Sequence, residues 1–191
     1  MLGAGGIGAA VARVAILLDD AFEDSEFRVP WSRLRQAGHE VTIVGRKAGS
    51  LLTGKRGLEH VTTDVSIADV VVDAFHALVI PGGRSPERLL RDARMVVFTR
   101  AFFGTGRPVA AVCHGPLLLA AAGVLGGRTL TSWPAISDQL VDAGARWVDR
   151  EVVEDGQLVT SRSPADLEPF ATALLRKLEA AEAAFTPASP S

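Results

Sequence analysis

Val109-Ala110-Ala111-Val112-Cys113-His114-Gly115-Pro116 runs from an apolar strand, through a turn of small residues, into an alanine- and leucine-rich helix that reaches Ala122. Four uninterrupted apolar residues suit a strand buried on both faces of a parallel sheet. The polar residue after them must turn sharply. Ala110, Ala111 and Gly115 leave room for a nucleophile elbow at Cys113, where a bulky neighbour would clash. A thiol facing the positive end of a helix is expected to have a lowered pKa. A lone cysteine is more often a core residue, but its place between strand and helix outweighs that alternative here.

Strands and helices alternate on either side of this stretch. Val14-Ala15-Ile16-Leu17-Leu18 predicts a first buried strand, and a helix follows from Glu23 to Ala37 with Pro30 inside it and Gly38 ending it. Val41–Val44 and Ala77–Ile80 predict two more strands, the latter ending in Pro81-Gly82-Gly83. A broken helix from Pro86 to Phe103 leads to the Val109 strand, and further helices are expected over Ile136–Ala143 and Ala165–Ala183. Asp155-Gly156 reads as a hairpin turn that pairs Gln157–Thr160 with Glu151–Val153 and Trp147-Val148. Ser163 is expected to cap the last helix, with Pro164 at its first position and Asp166 at its positive end. The pattern predicts one α/β domain over residues 13–180, with helices on both faces of a mostly parallel sheet. Residues 1–12 read as a flexible glycine-rich start and 184–191 as a disordered tail.

Composition narrows the classes. With 48% hydrophobic residues, 191 residues can bury a sizeable core. A net charge of -2 argues against a bulk electrostatic grip on nucleic acid or an anionic membrane. One cysteine excludes an intrachain disulfide and a thiolate-rich zinc site. No apolar run approaches the ~20 residues of a membrane span, and Met1–Val14 lacks the basic start of a signal peptide. The expected compartment is the cytoplasm.

Other motifs gain or lose by context. Gly82 and Gly83, after a parallel strand, can bring backbone N–H groups close to a ligand as an oxyanion hole beside Cys113. Phe22-Glu23-Asp24-Ser25-Glu26 crowds three carboxylates at a helix start, where acids are favoured without further purpose. One of them can also reach over the sheet edge to the thiol. Gly3-Ala4-Gly5-Gly6-Ile7-Gly8 has dinucleotide-binding spacing but precedes a strand instead of following one. His39, His60 and His76 lack metal-ligand spacing and are expected on the surface or in loops. Arg84, Arg88, Arg91 and Arg94 read as a solvated helix face. Neither metal nor cofactor is implied.

The stretches Ala21–Glu26, Ile80–Arg88 and Val112–Pro116 resemble the PfpI family of the ThiJ/PfpI superfamily. The resemblance extends through Ala122–Leu125, Thr131–Pro134, Ala143–Asp149 and Ser161–Leu167, and covers about Arg13 to Leu178. It implies a flavodoxin-like three-layer sandwich related to the class I glutamine amidotransferases. It also implies that Cys113 is the nucleophile, His114 its base, and Glu26 the acid that contacts the cysteine. Glu23 would line the same pocket, and the Gly83 and His114 N–H groups would form the oxyanion hole. Glu87 matches an acid that reaches His114 of an adjacent subunit, which implies at least a homodimer, with a hexamer built from dimers as the larger assembly. Trp133 stands where relatives often carry tyrosine or another aromatic, so a phenolic hydroxyl is missing.

Three functions follow from the resemblance. A deglycase or glutathione-independent glyoxalase acting on dicarbonyls or their protein adducts ranks first, because an aldehyde is already electrophilic. An intracellular cysteine peptidase or amidohydrolase ranks second, since it must also expel a poor amine leaving group. A redox sensor or chaperone working through oxidation of Cys113 is the non-enzymatic alternative.

Overall fold

The computed structural model describes residues 10–185 of the chain. The glycine-rich motif at 3–8 and the tail beyond 185 lie outside them. The chain forms β1 (Arg13–Leu17), α1 (Asp24–Gln36), β2 (Glu40–Gly45), β3 (Leu51–Thr53), β4 (His60–Thr62), β5 (Val65–Ser66) and β6 (Ala77–Ile80). Then come α2 (Ser85–Leu89), α3 (Ala93–Gly104), β7 (Val109–Val112), α4 (Pro116–Ala121), β8 (Thr129–Leu130) and α5 (Ser137–Asp142). β9 (Arg146–Trp147), β10 (Val152–Asp155), β11 (Leu158–Ser161) and α6 (Leu167–Phe185) complete it.

Seven strands make the central sheet in the order β10-β11-β7-β6-β1-β2-β5, and only the β10–β11 pairing is antiparallel. Side chains alternate across a strand, so each apolar run feeds two cores. Ala15, Leu17, Leu78, Ile80, Val109 and Ala111 pack with Met95, Phe102 and Leu118 from α3 and α4. Val14, Ile16, Val79, Ala110 and Val112 pack with Phe27 and Leu34 from α1 and with Phe170 and Leu174 from α6. This is the expected three-layer α/β sandwich. The chain leaves β1 first toward β2 and then returns to its other side at β6. The loops after β1, β6 and β7 therefore meet at the carboxyl edge, where open α/β sheets bind ligands.

Several local expectations are corrected. Trp147 does not join the hairpin: β9 pairs in parallel with β8, Leu130 opposite Trp147, and the Trp147 indole donates to Ser132 Oγ at 3.0 Å. Asp155 already pairs with Leu158, so the turn residues are Gly156 and Gln157. Ser163 makes no side-chain cap; a 3-10 turn over Pro164–Asp166 precedes α6, and Arg162 holds Asp166 at 2.9 and 3.1 Å. His39 is buried, not superficial, and its Nδ1 accepts the Ala12 N–H at 3.2 Å. Ala12 itself is in the core and its carbonyl accepts the Glu40 N–H, so the ordered chain includes the end of the stretch expected to be flexible.

Candidate active site

Cys113 takes the turn with φ +59. That region is unfavourable for a residue with a Cβ by roughly 1–2 kcal/mol. The strain is held from several sides. The Cys113 N–H donates to Ser161 O at 3.0 Å, its carbonyl accepts from Trp133 N at 3.1 Å, and Gly115 N donates to Val112 O at 2.8 Å. Gly115 must be glycine, because a Cβ there would stand 2.9 Å from the Val112 carbonyl oxygen and closer still to that of Ile80. The elbow that the small residues suggested is formed.

Three further pieces converge on the sulfur. His114 Nδ1 lies 3.2 Å from Cys113 Sγ. The backbone N–H groups of Gly83 and His114 point at the thiol. Glu26, fully buried on the first turn of α1, faces it. Gly82 permits this approach: its N–H donates to Glu26 Oε2 at 2.9 Å, and a Cβ there would lie 2.7 Å from the cysteine Cβ. Gly83, at φ +74, forms a β-bridge with Phe22, which ties the β1 and β6 loops together. The other Glu26 oxygen, Oε1, has no hydrogen-bond partner besides the neighbouring thiol.

The proton inventory follows from burial. Desolvation raises the Glu26 pKa to about 8, outweighing the Gly82 N–H that lowers it. Glu26 is therefore mostly a neutral acid at pH 7, able to donate toward the sulfur. Burial, then the Glu26 charge and hydrogen bond, push the Cys113 thiol up, against the Gly83 and His114 N–H groups. The expectation of a thiol lowered by a helix end is thus overturned. α4 begins only at Pro116 and is six residues long, and desolvation dominates. Protonation of Glu26 removes its charge repulsion. Burial also lowers the His114 pKa, so the imidazole is neutral near pH 7 and can accept the thiol proton.

These groups line a pocket of about 350 Å³ with Glu23, Lys55, Arg84, Glu87, Trp133 and Pro164. All four expected acid, base and nucleophile positions, Cys113, His114, Glu26 and Glu87, are brought together, as are Glu23, Gly83 and the 42% exposed Trp133. Glu87 was expected to meet His114 from a neighbouring subunit. Within one chain it already lines the pocket, and its charge raises the pKa of His114. Arg84, read as part of a solvated helix face, lines the pocket as the neighbour of Gly83. Lys55 and Pro164 were not anticipated there: they come from loops far apart in sequence, and Lys55 carries no motif beyond the glycines at 54 and 57.

The family model described as the DJ-1/PfpI family matches residues 12–177. The chain belongs to the DJ-1/PfpI family. It is 48% identical over 169 residues to the Escherichia coli (strain K12) protein named Protein/nucleic acid deglycase 2, covering 88% of this chain and 98% of that protein. It is 46% identical over 155 residues to Deglycase PfpI of Pyrococcus furiosus, covering 81% of this chain and 92% of that one. A two-domain protein from Anabaena variabilis with DJ-1/ThiJ/PfpI-like and ferritin-like domains superposes with a TM-score of 0.86 at 41% identity. That match covers 87% of this chain and 48% of the larger one. The fold expectation and the family resemblance both hold. Among the described residues no helix is long and apolar enough to cross a membrane.

Proposed function

We propose that this DJ-1/PfpI family member is a cysteine-dependent deglycase that releases amines from their adducts with reactive dicarbonyls. The observation that carries this reading is a single cysteine on a strained elbow with His114 Nδ1 3.2 Å from its sulfur and the buried Glu26 carboxyl beside it. His114 accepts the thiol proton, and the sulfur attacks the electrophilic carbon of the adduct. The Gly83 and His114 N–H groups stabilise oxyanion character there. Glu26, with its proton, serves as the local acid for the departing group. The carbonyl fragment, left on sulfur, rearranges internally and is hydrolysed. For a methylglyoxal aminocarbinol the balance is adduct plus water to free amine plus lactic acid, with no external oxidant. Oxidation at the carbinol carbon is matched by reduction at the adjacent carbonyl carbon. The names of the bacterial and archaeal relatives support this reading.

The test is release of N-acetylarginine from its methylglyoxal adduct, followed by chromatography. Cys113→Ser is expected to lower the rate at least ~10³-fold; a Cys113→Ser protein with full activity would exclude the thiol. Peptide hydrolysis is the second reading, favoured by one observation: the Glu87 charge acts on His114, giving a cysteine-histidine-acid arrangement. A peptide with a fluorogenic amine, run in parallel, separates the two.

A further inference from the structure

We propose that Lys55 is the specificity-determining cation of the pocket and selects substrates that carry an anionic group, carboxylate or phosphate, beside the electrophilic carbon. Lys55 lies in the loop between β3 and β4, remote in sequence from every residue of the elbow, yet it lines the pocket with Cys113. Its charge acts on both Glu26 and His114, the groups on either side of the sulfur. Arg84 lines the same pocket from the turn after β6. Lys55 forms no ion pair among the described residues, although Glu23 and Glu87 share the pocket. An ammonium held near the reacting atom without a fixed counterion is available to a ligand anion.

The loop is built to hold that charge in place. Asp24, 3% exposed, accepts N–H groups from Arg56 at 2.8 Å, Leu58 at 2.8 Å and Glu59 at 2.9 Å. The Lys55 N–H itself donates to Phe22 O at 2.7 Å, beside the β1 loop that carries Glu23 and Glu26. Gly54 packs against the Asp24 carboxylate so closely that a Cβ would collide with it. Of the three clustered acids, Glu26 faces the thiol, Glu23 lines the pocket, and Asp24 positions the loop of Lys55.

The proposal rests on Cys113 being the nucleophile, but its test needs no turnover. Alkylation of Cys113, the only cysteine, is followed by mass spectrometry with iodoacetate and with iodoacetamide, which differ by one carboxylate charge. Both reagents attack the same thiolate, so its fraction cancels in the rate ratio, which is normalised to that of the uncharged thiol N-acetylcysteine amide. Wild type is expected to favour iodoacetate over the free-thiol ratio by about tenfold, the effect of one partly solvated charge contact. Lys55→Gln should return the ratio to that of the free thiol, and Lys55→Arg should keep most of it. A wild-type ratio equal to the free thiol's, or one that survives Lys55→Gln, overturns the proposal. Acetate or inorganic phosphate, whichever protects wild type but not Lys55→Gln from iodoacetamide, identifies the anion; protection by neither counts against it. Absence of deglycase activity with the selectivity intact would reject only the proposed reaction.

Discussion

Replacing Glu26 with glutamine removes a buried titratable group while keeping an acceptor for the Gly82 N–H at 2.9 Å. The carboxyl has a pKa near 4.5 in the unfolded chain and about 8 in the fold, mainly through desolvation. Between those values the native state binds a proton that the unfolded state has lost. Stability from this group is therefore complete below pH 4.5 and declines as pH rises through about 8, after which it is level. At ~1.4 kcal/mol per pH unit, the loss by pH 7 is on the order of 3 kcal/mol. Glu26→Gln has no such slope. Urea unfolding of both proteins between pH 4.5 and 7, under reducing conditions, should show the stability difference moving in favour of the glutamine variant by this amount. A Cys113→Ala background should retain the trend, since burial and not the thiol is the main cause. A difference that stays flat between pH 5 and 8 would refute the neutral acid, and with it the proton donor assigned to the site.

Gly83→Ala forces a Cβ into a position at φ +74 that lies 2.5 Å from the Ala21 carbonyl oxygen. It should destabilise the fold by at least ~2 kcal/mol in urea unfolding; a change under 0.5 kcal/mol would mean the loop moves freely. Asp24→Asn should lose about 1–3 kcal/mol at pH 7. Desolvation raises the Asp24 pKa, but the Arg56, Glu59 and Leu58 N–H groups outweigh it, so its stabilisation is present above the unfolded carboxylate pKa and disappears as pH falls through a lower folded value. Urea curves of the two proteins should converge well below pH 4. Glu87→Gln should lower the titration midpoint of His114 further, because it removes the charge that opposes desolvation; an unmoved imidazole resonance in an NMR titration would contradict the contact within one chain.

Much of this was written in local sequence. Apolar runs such as Ala77–Ile80 and Val109–Val112, each ending in glycine or a small polar turn, specify buried parallel strands, because only a two-sided core accommodates them. The same stretches place Cys113, Gly82 and Gly83 at one sheet edge, since every parallel strand ends there. Charge states and long-range neighbours were not local properties. Glu26 and Asp24 stand two residues apart on one helix, yet desolvation by the packed elements makes one a neutral acid and three backbone N–H groups keep the other ionised. The thiol pKa rises instead of falling because burial outweighs a six-residue helix. His39 looked superficial until Ala12 and its own burial gave it a partner, and Trp147 left the hairpin for a parallel pairing with Leu130, 17 residues earlier in the chain. Lys55 enters the pocket only because Asp24 folds its loop back over the sheet edge. Periodicity and turn chemistry act over a few residues and so determine strands, turns and the position of the elbow; desolvation and Coulomb interactions depend on everything packed nearby, and only the tertiary structure decides them.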